Sequence, residues 1–178
     1  MITFLDLDGT IVKWAQGLCK LIGADPKDPE VRAILLEDKP IEGGPFGTRE
    51  NVAKVVEKAG YSFWMDLELE PWAFELYNFC IAESDEVYFL TSPSTFSEAA
   101  HAKIDFVKKV FDTDKIIITK HKHLVAGPSK LLIDDQKRNT VAWGNAGGVG
   151  YFWPNSLKLE DEGSCIDEQL YELRMILR

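Results

Sequence analysis

Short apolar runs recur along the chain at Ile2 to Leu5, Val87 to Leu90, Ile116 to Ile118, Leu131 to Ile133 and Val149 to Phe152. Each is β-branched, aromatic or leucine-rich and continuous rather than alternating. Each meets polar or glycine-rich residues at its C-terminal end. Continuous runs of this length predict strands buried on both faces of a parallel sheet. Helical periods lie between them. Phe96, Ala99, Ala100, Val107, Val110 and Phe111 recur at helical spacings and form one apolar stripe, and Leu170, Leu173 and Leu177 form another. Alternation of strand and helix predicts an α/β, doubly wound parallel sheet.

One segment breaks the alternation. From Trp14 to Pro71 the pattern holds helical periods and turn residues but no convincing strand. Asp25-Pro26 and Asp28-Pro29 mark a turn and a helix start, Gly43-Gly44-Pro45 a loop, and Thr48 a second helix start. About fifty residues directly after the first strand exceed a simple crossover. The expectation is a small helical cap, residues 14–71, inserted after strand one of an α/β core formed by residues 1–13 and 72–178. The alternative is a long crossover that never meets a ligand. Ligands in such sheets sit at the carboxyl ends of strands, which favours the cap.

The chain has 178 residues, 46% of them apolar, which suits one domain with a small insertion. Its formal charge of −9 argues against a duplex nucleic-acid surface. A single phosphorylated ligand needs only a local positive pocket, and a bound cation supplies one. Cys19, Cys80 and Cys165 are too scattered for a metal cluster or disulfide framework and are expected as reduced thiols. No basic leader or membrane-length apolar stretch is evident, so the expected setting is soluble and cytoplasmic, without membrane partners. The oligomeric state is open, a homodimer included.

Charge becomes informative where it meets the strand ends. Phe4-Leu5-Asp6-Leu7-Asp8-Gly9-Thr10 places Asp6 at the carboxyl end of strand one, with Asp8 two residues on. Carboxylates this close repel in a desolvated site unless a cation sits among them, and Mg2+ suits such oxygen ligands. One acid can then attack phosphorus while the other shuttles the leaving group's proton. A solvated Asp-Gly turn is the plainer alternative. Leu131-Leu132-Ile133-Asp134-Asp135 repeats the pattern, and two acidic strand ends suggest a shared metal site of Asp6, Asp8, Asp134 and Asp135. Phe89-Leu90-Thr91-Ser92-Pro93 ends a strand in two hydroxyls, which suit phosphate oxygens at a helix start or, more simply, a helix cap.

A lysine is needed to neutralise the phosphoryl oxygens. Lys130 begins the strand that ends at Asp134 and so lies roughly 13 Å from the acids. Lys103 falls on the apolar helical stripe, where reaching inward and snorkelling are both open. Lys122, in the loop after Ile116 to Ile118, is the better candidate.

With Asp6-Leu7-Asp8-Gly9-Thr10, Thr91-Ser92, Lys122 and Asp134-Asp135 in this order, the chain resembles the haloacid dehalogenase superfamily of phosphotransferases. The stretch Ser62 to Glu68, Thr91-Ser92-Pro93, Thr119-Lys120-His121-Lys122 and Leu131 to Asp135 look like those of the 5′(3′)-deoxyribonucleotidases. That resemblance implies Asp6 as a nucleophile forming an aspartyl-phosphate and Asp8 as general acid and then base. It implies Mg2+ on the Asp6 carboxylate, the Asp8 carbonyl and Asp135, with the phosphoryl group held by Thr91, Ser92 and Lys122. Trp14 occupies the place of an aromatic that packs on the base, and Phe46, Phe63 and Trp64 could help line the cap. For these aromatics, packing within the cap core is an equal alternative. The chain departs from the family at Lys120-His121, where Arg-Asp is usual, and at Gln136, where arginine is common.

The function expected is Mg2+-dependent hydrolysis of a small phosphomonoester, most of all a deoxynucleotide. The alternatives are a sugar phosphate, a 3′-phosphorylated end, or a silent nucleotide-binding module on the same scaffold.

Overall fold

The computed structural model describes residues 1–37, 39–94, 96–158 and 166–178. Cys165 lies outside the described residues. The five apolar runs become strands β1 (Ile2–Leu5), β2 (Glu86–Thr91), β3 (Ile116–Ile118), β4 (Lys130–Asp134) and β5 (Val149–Phe152). They form one parallel sheet in the order β3-β2-β1-β4-β5. This is the α/β architecture expected from the sequence. Central β1 pairs on both sides, Leu5 standing opposite Phe89 of β2 and Ile133 of β4. The chain winds outward from β1 in both directions, so the ends of β2, β1 and β4 meet at a topological switch point.

The helices are α1 (Trp14–Ile22), α2 (Pro29–Leu36), α3 (Arg49–Met65), α4 (Ala73–Glu83), α5 (Ser97–Phe111), α6 (Lys137–Asn145) and α7 (Ile166–Leu177), with 3-10 turns at Gly44–Phe46 and Lys122–Val125. No helix among the described residues is long and apolar enough to cross a membrane. The chain divides into two compact units, one of residues 1–12, 69–92 and 115–178, the other of 13–68 and 93–114. The second unit therefore takes α5 as well as the helices that follow β1.

The first unit carries the sheet with α4, α6 and α7. Its core sets Phe4, Leu90, Leu132 and Trp143 against one another, with Ile2, Tyr88 and Ile117 packed alongside. Phe4 lies 5.2 Å from the Trp143 ring and 5.7 Å from the Tyr88 ring. Burying each such side chain contributes about 1.5–3 kcal/mol. The edge strands differ from the expectation of burial on both faces. All of β3 is half-buried, and β5 exposes Val149 and Gly150. An edge position leaves one flank without a neighbouring strand to cover it.

Neither α4 nor α6 shows an amphipathic stripe. Trp72 to Ala82 is apolar on nearly every side, and Lys137 to Asn145 is rich in weak helix formers. Tertiary packing, rather than propensity, holds both.

The second unit is helical. Asp28 caps α2 by accepting from Glu30 N at 2.8 Å and Val31 N at 3.3 Å, and Pro29 opens the helix. Thr48 caps α3 by accepting from Asn51 N at 3.2 Å. Gly60, at φ 65° and ψ −148°, breaks α3. Beyond the break, Tyr61 donates to Asp105 of α5 at 2.8 Å. Lys103, also on α5, is buried with its ammonium 4.3 Å from the Trp64 ring centre.

Two glycines test the packing of α6 on β5. A Cβ on Gly150 would stand 2.2 Å from the Thr140 carbonyl oxygen and 2.8 Å from its Cα, whereas one on Gly144 meets nothing within 4 Å. Gly150→Ala is expected to lower unfolding free energy in urea by about 1–3 kcal/mol. Gly144→Ala should leave it unchanged or raise it by about 0.4–1 kcal/mol.

Candidate active site

β1 delivers Asp6, whose backbone N–H still bonds the Ile133 carbonyl at 2.9 Å. The chain then folds into a turn in which Ile11 N and Val12 N both donate to the Leu7 carbonyl, at 3.0 and 2.9 Å. Gly9 sits at φ +88°, a conformation few side chains tolerate, and its N–H donates to Val12 at 2.8 Å. The turn leaves Asp6 buried and Asp8 half-buried.

Around Asp6 the sheet and one loop gather the remaining groups. Lys122, buried at the start of its 3-10 turn, donates to Asp6 Oδ1 and, at 2.6 Å, to Asp134 Oδ2. Asp134 also accepts from Gln136 N at 2.8 Å and, on both oxygens, from Asn139 Nδ2 at 3.0 Å. Both of its oxygens are thereby engaged. Asp135 differs. Its Oδ2 accepts from Gln136 Nε2 at 3.2 Å, but its buried Oδ1 has no hydrogen-bond partner among the described residues. Thr91 ends β2 fully buried, its carbonyl accepting from Thr119 N at 2.9 Å, with Ser92 half-buried beside it.

Carboxylate oxygens of Asp6, Asp134 and Asp135 all lie within 4.8 Å of one another, with the Lys122 ammonium bonded to Asp6 and Asp134. Burial drives the Asp6 carboxyl well above the usual range. Lys122 opposes that rise, while Asp134, Asp135 and Asp8 add to it. Burial, then the Asp134 charge, pushes Asp135 up to about 7, partly offset by the Gln136 side chain and by the Lys122 and Lys158 charges. For Lys122, burial favours the neutral amine, but Asp6 and Asp134 outweigh it and hold the ammonium above its ordinary value. The excess negative charge and the orphaned Asp135 oxygen fit a hard divalent cation with oxygen ligands, such as Mg2+. Gly9 is part of that fit, because a Cβ there would stand 2.3 Å from Asp135 Oδ2.

Asp6, Lys122, Asp134 and Asp135, picked out from sequence, are thus brought together, with Asp8 and Thr91 on the adjoining chain ends. Trp14, Phe46, Phe63 and Trp64 all belong to the second unit. There Phe63 and Trp64 are buried edge to face at 5.1 Å, and Phe46 is buried in the wall of an open groove with Ile22, Asn51 and Lys54. Lys130, as its position in β4 implied, bonds away from the acids, to the Val125 carbonyl at 2.8 Å. Asn139 was not foreseen. The available signal was its place in the first turn of a helix that starts just after Asp135.

No family model and no curated protein matches the sequence. Solved structures do. A predicted phosphatase from Clostridium acetobutylicum aligns with a TM-score of 0.56 at 13% identity, covering 97% of both chains. CbbY from Rhodobacter sphaeroides, a mutant in complex with xylulose-(1,5)bisphosphate, gives 0.55 at 12% identity, covering 89% of this chain and 88% of that one. A haloacid dehalogenase-like family hydrolase from Xanthomonas campestris gives 0.53 at 13% identity over 97% and 94%. The chain shares its fold with these solved structures.

The raised Asp135 carboxyl sets a pH dependence for the metal-free protein. Between its ordinary value of 3.8 and about 7 the folded state keeps a proton that the unfolded chain has released. Stability contributed by this group is therefore full below pH ~4 and is lost as the pH rises to about 7. In chelator, thermal melts should decline across that window, and Asp135→Asn should flatten the decline. Added Mg2+ at pH 7.5 should raise the midpoint of the wild type but not of the variant.

Proposed function

We propose that the chain is a Mg2+-dependent phosphomonoesterase that works through an aspartyl-phosphate on Asp6, with deoxyribonucleoside monophosphates as the preferred substrates. The observation that carries this reading is the buried Asp6 at the end of the central strand, paired with Lys122 beside Asp134 and Asp135.

In the first step an Asp6 carboxylate oxygen attacks phosphorus in line. The bond from phosphorus to the ester oxygen breaks, and the Asp8 carboxyl gives its proton to the departing alkoxide. In the second step the Asp8 carboxylate takes a proton from water as the water oxygen attacks phosphorus. The bond to Asp6 breaks, releasing phosphate and restoring both acids. Thr91, Ser92 and Lys122 hold the phosphoryl oxygens while charge spreads over them. The Asp6 carboxylate, the Asp8 carbonyl and Asp135 would hold Mg2+, which when bound neutralises that same charge. Asp134, committed to Lys122, Asn139 and the Gln136 amide, orients the lysine.

Deoxynucleotide preference is supported by the resemblance of Ser62 to Glu68 and of the three later motifs to the deoxyribonucleotidases. In this reading Trp14, Phe46, Phe63 and Trp64 supply the surface on which a base packs, and residues 14–71 serve as a cap. A sugar phosphate is the second reading, because the CbbY mutant of similar fold was captured with xylulose-(1,5)bisphosphate.

The wild type should hydrolyse a chromogenic phosphate ester with Mg2+ and lose that activity in chelator. Asp6→Asn should abolish turnover while keeping the wild-type circular dichroism spectrum; substantial residual activity would rule out the covalent step. Across a panel of deoxynucleotides, ribonucleotides and sugar phosphates, the deoxynucleotides should show the highest kcat/KM. Equal turnover of ribose and deoxyribose forms would reject the narrower substrate class.

A further inference from the structure

The turn that follows the nucleophile lies outside the strand ladders, so other bonds must fix its peptide planes. One comes from far along the chain. The buried indole N–H of Trp72 donates to the Thr10 carbonyl at 2.9 Å. The next strand of contact is backbone, Glu70 N donating to the Ile11 carbonyl at 2.8 Å, and Ser156 fixes the buried Glu70 side chain at 3.1 Å. The Trp72 ring lies 6.0 Å from that of Trp153, whose backbone N–H donates to the Asp134 carbonyl at 3.0 Å. Two neighbouring tryptophans thus hold both acid-bearing chain ends.

We infer that Trp72 is a positioning residue for the nucleophile turn, acting through the Thr10 carbonyl on Asp6, Asp8 and the approach of Gly9 to Asp135; the inference rests on the reaction proposed above. Without the indole N–H, the buried Thr10 carbonyl has no other donor among the described residues, and rotation of its peptide is the way the turn restores a partner. Such a rotation swings the Ile11 N–H of the same peptide off the Leu7 carbonyl it bonds at 3.0 Å, and so loosens the turn that carries Asp8 and Gly9. Gly9 already stands so close to Asp135 that a Cβ there would meet Oδ2 at 2.3 Å, so its displacement shifts the metal-binding acid too. Catalytic groups held by a turn lose rate steeply with small displacements.

Trp143 provides a matched comparison. Its indole N–H also donates to a backbone carbonyl, that of Lys130 at 3.2 Å, at the opposite end of β4 from the acids. Trp72→Phe and Trp143→Phe each remove one such bond and keep an aromatic ring. If Trp72→Phe does not fold, benzothienylalanine at position 72 preserves the bicyclic shape without the N–H. At a temperature where all variants are folded, Trp72→Phe should lower kcat for a chromogenic phosphate ester by about tenfold to a hundredfold, with KM little changed. It should also weaken Mg2+ binding in titration calorimetry. Trp143→Phe should lower the melting midpoint but keep wild-type kcat and Mg2+ affinity. Wild-type kcat in the position 72 variant, or an equal loss in Trp143→Phe, overturns the inference. If the wild type itself turns over no phosphate ester, the proposed reaction fails instead, and Mg2+ affinity then decides. An unchanged affinity at position 72 overturns the positioning role.

Discussion

Three carboxylates buried within reach of one another, and one buried ammonium among them, set the terms for the rest of the first unit. Such a cluster is costly by itself: desolvation disfavours each charge, and Lys122 cannot balance all three acids. Hydrogen bonds from Asn139 and the Gln136 amide satisfy Asp134, yet Asp135 keeps an oxygen with no donor among the described residues. The site is therefore held together by the fold around it, and either protons or a cation can relieve its charge. That combination, an acid pushed toward neutrality and a geometry that favours a divalent ion, separates it from an ordinary structural ion pair.

The fold tolerates this cost because the acids are fixed to the best-packed part of the sheet. β1 lies between β2 and β4, and its register brings the ends of all three strands level. Phe4, Leu90 and Leu132, each close before a strand end that carries an acid or a hydroxyl, are buried against one another. The strands thus place Asp6, Thr91 and Asp134 through packing rather than through local flexibility. Outside the strands, positioning passes to specific contacts: Gly9, whose missing Cβ admits Asp135, and Trp72, whose indole holds the turn. The second unit is built differently, from helices with clear caps and a buried lysine placed on a tryptophan face.

Much of the fold was legible because it depends on local pattern. Continuous apolar runs marked all five strands; for β1, β2 and β4 the reason is that a strand covered on both faces has no polar face to alternate. Asp28-Pro29 and Thr48 marked helix starts, because a cap is satisfied within three residues of itself. The opposite failure is equally physical. α4 is apolar on nearly every side and α6 is made of poor helix formers, so neither carries a period, and both exist because the sheet packs against them. The half-open faces of β3 and β5 follow from strand order, which no single run contains.

At the site, the sequence by itself determined which chemical groups stand at the strand ends: paired acids after β1 and β4 and hydroxyls after β2. It also narrowed the lysine, since Lys130 had to start its strand at the wrong end. Only the tertiary structure decided who meets whom. The Lys122 bond to Asp6 spans 116 residues, the Trp72 bond to Thr10 spans 62, and Lys103 turns out to lie on Trp64. Side-chain periodicity records the environment of an element, whereas its partner is set by register and chain closure across the whole sheet. That is why Asp134 and Asp135, adjacent and chemically identical in sequence, have different environments in the fold: one saturated by Lys122 and Asn139, the other with an oxygen that no described residue bonds.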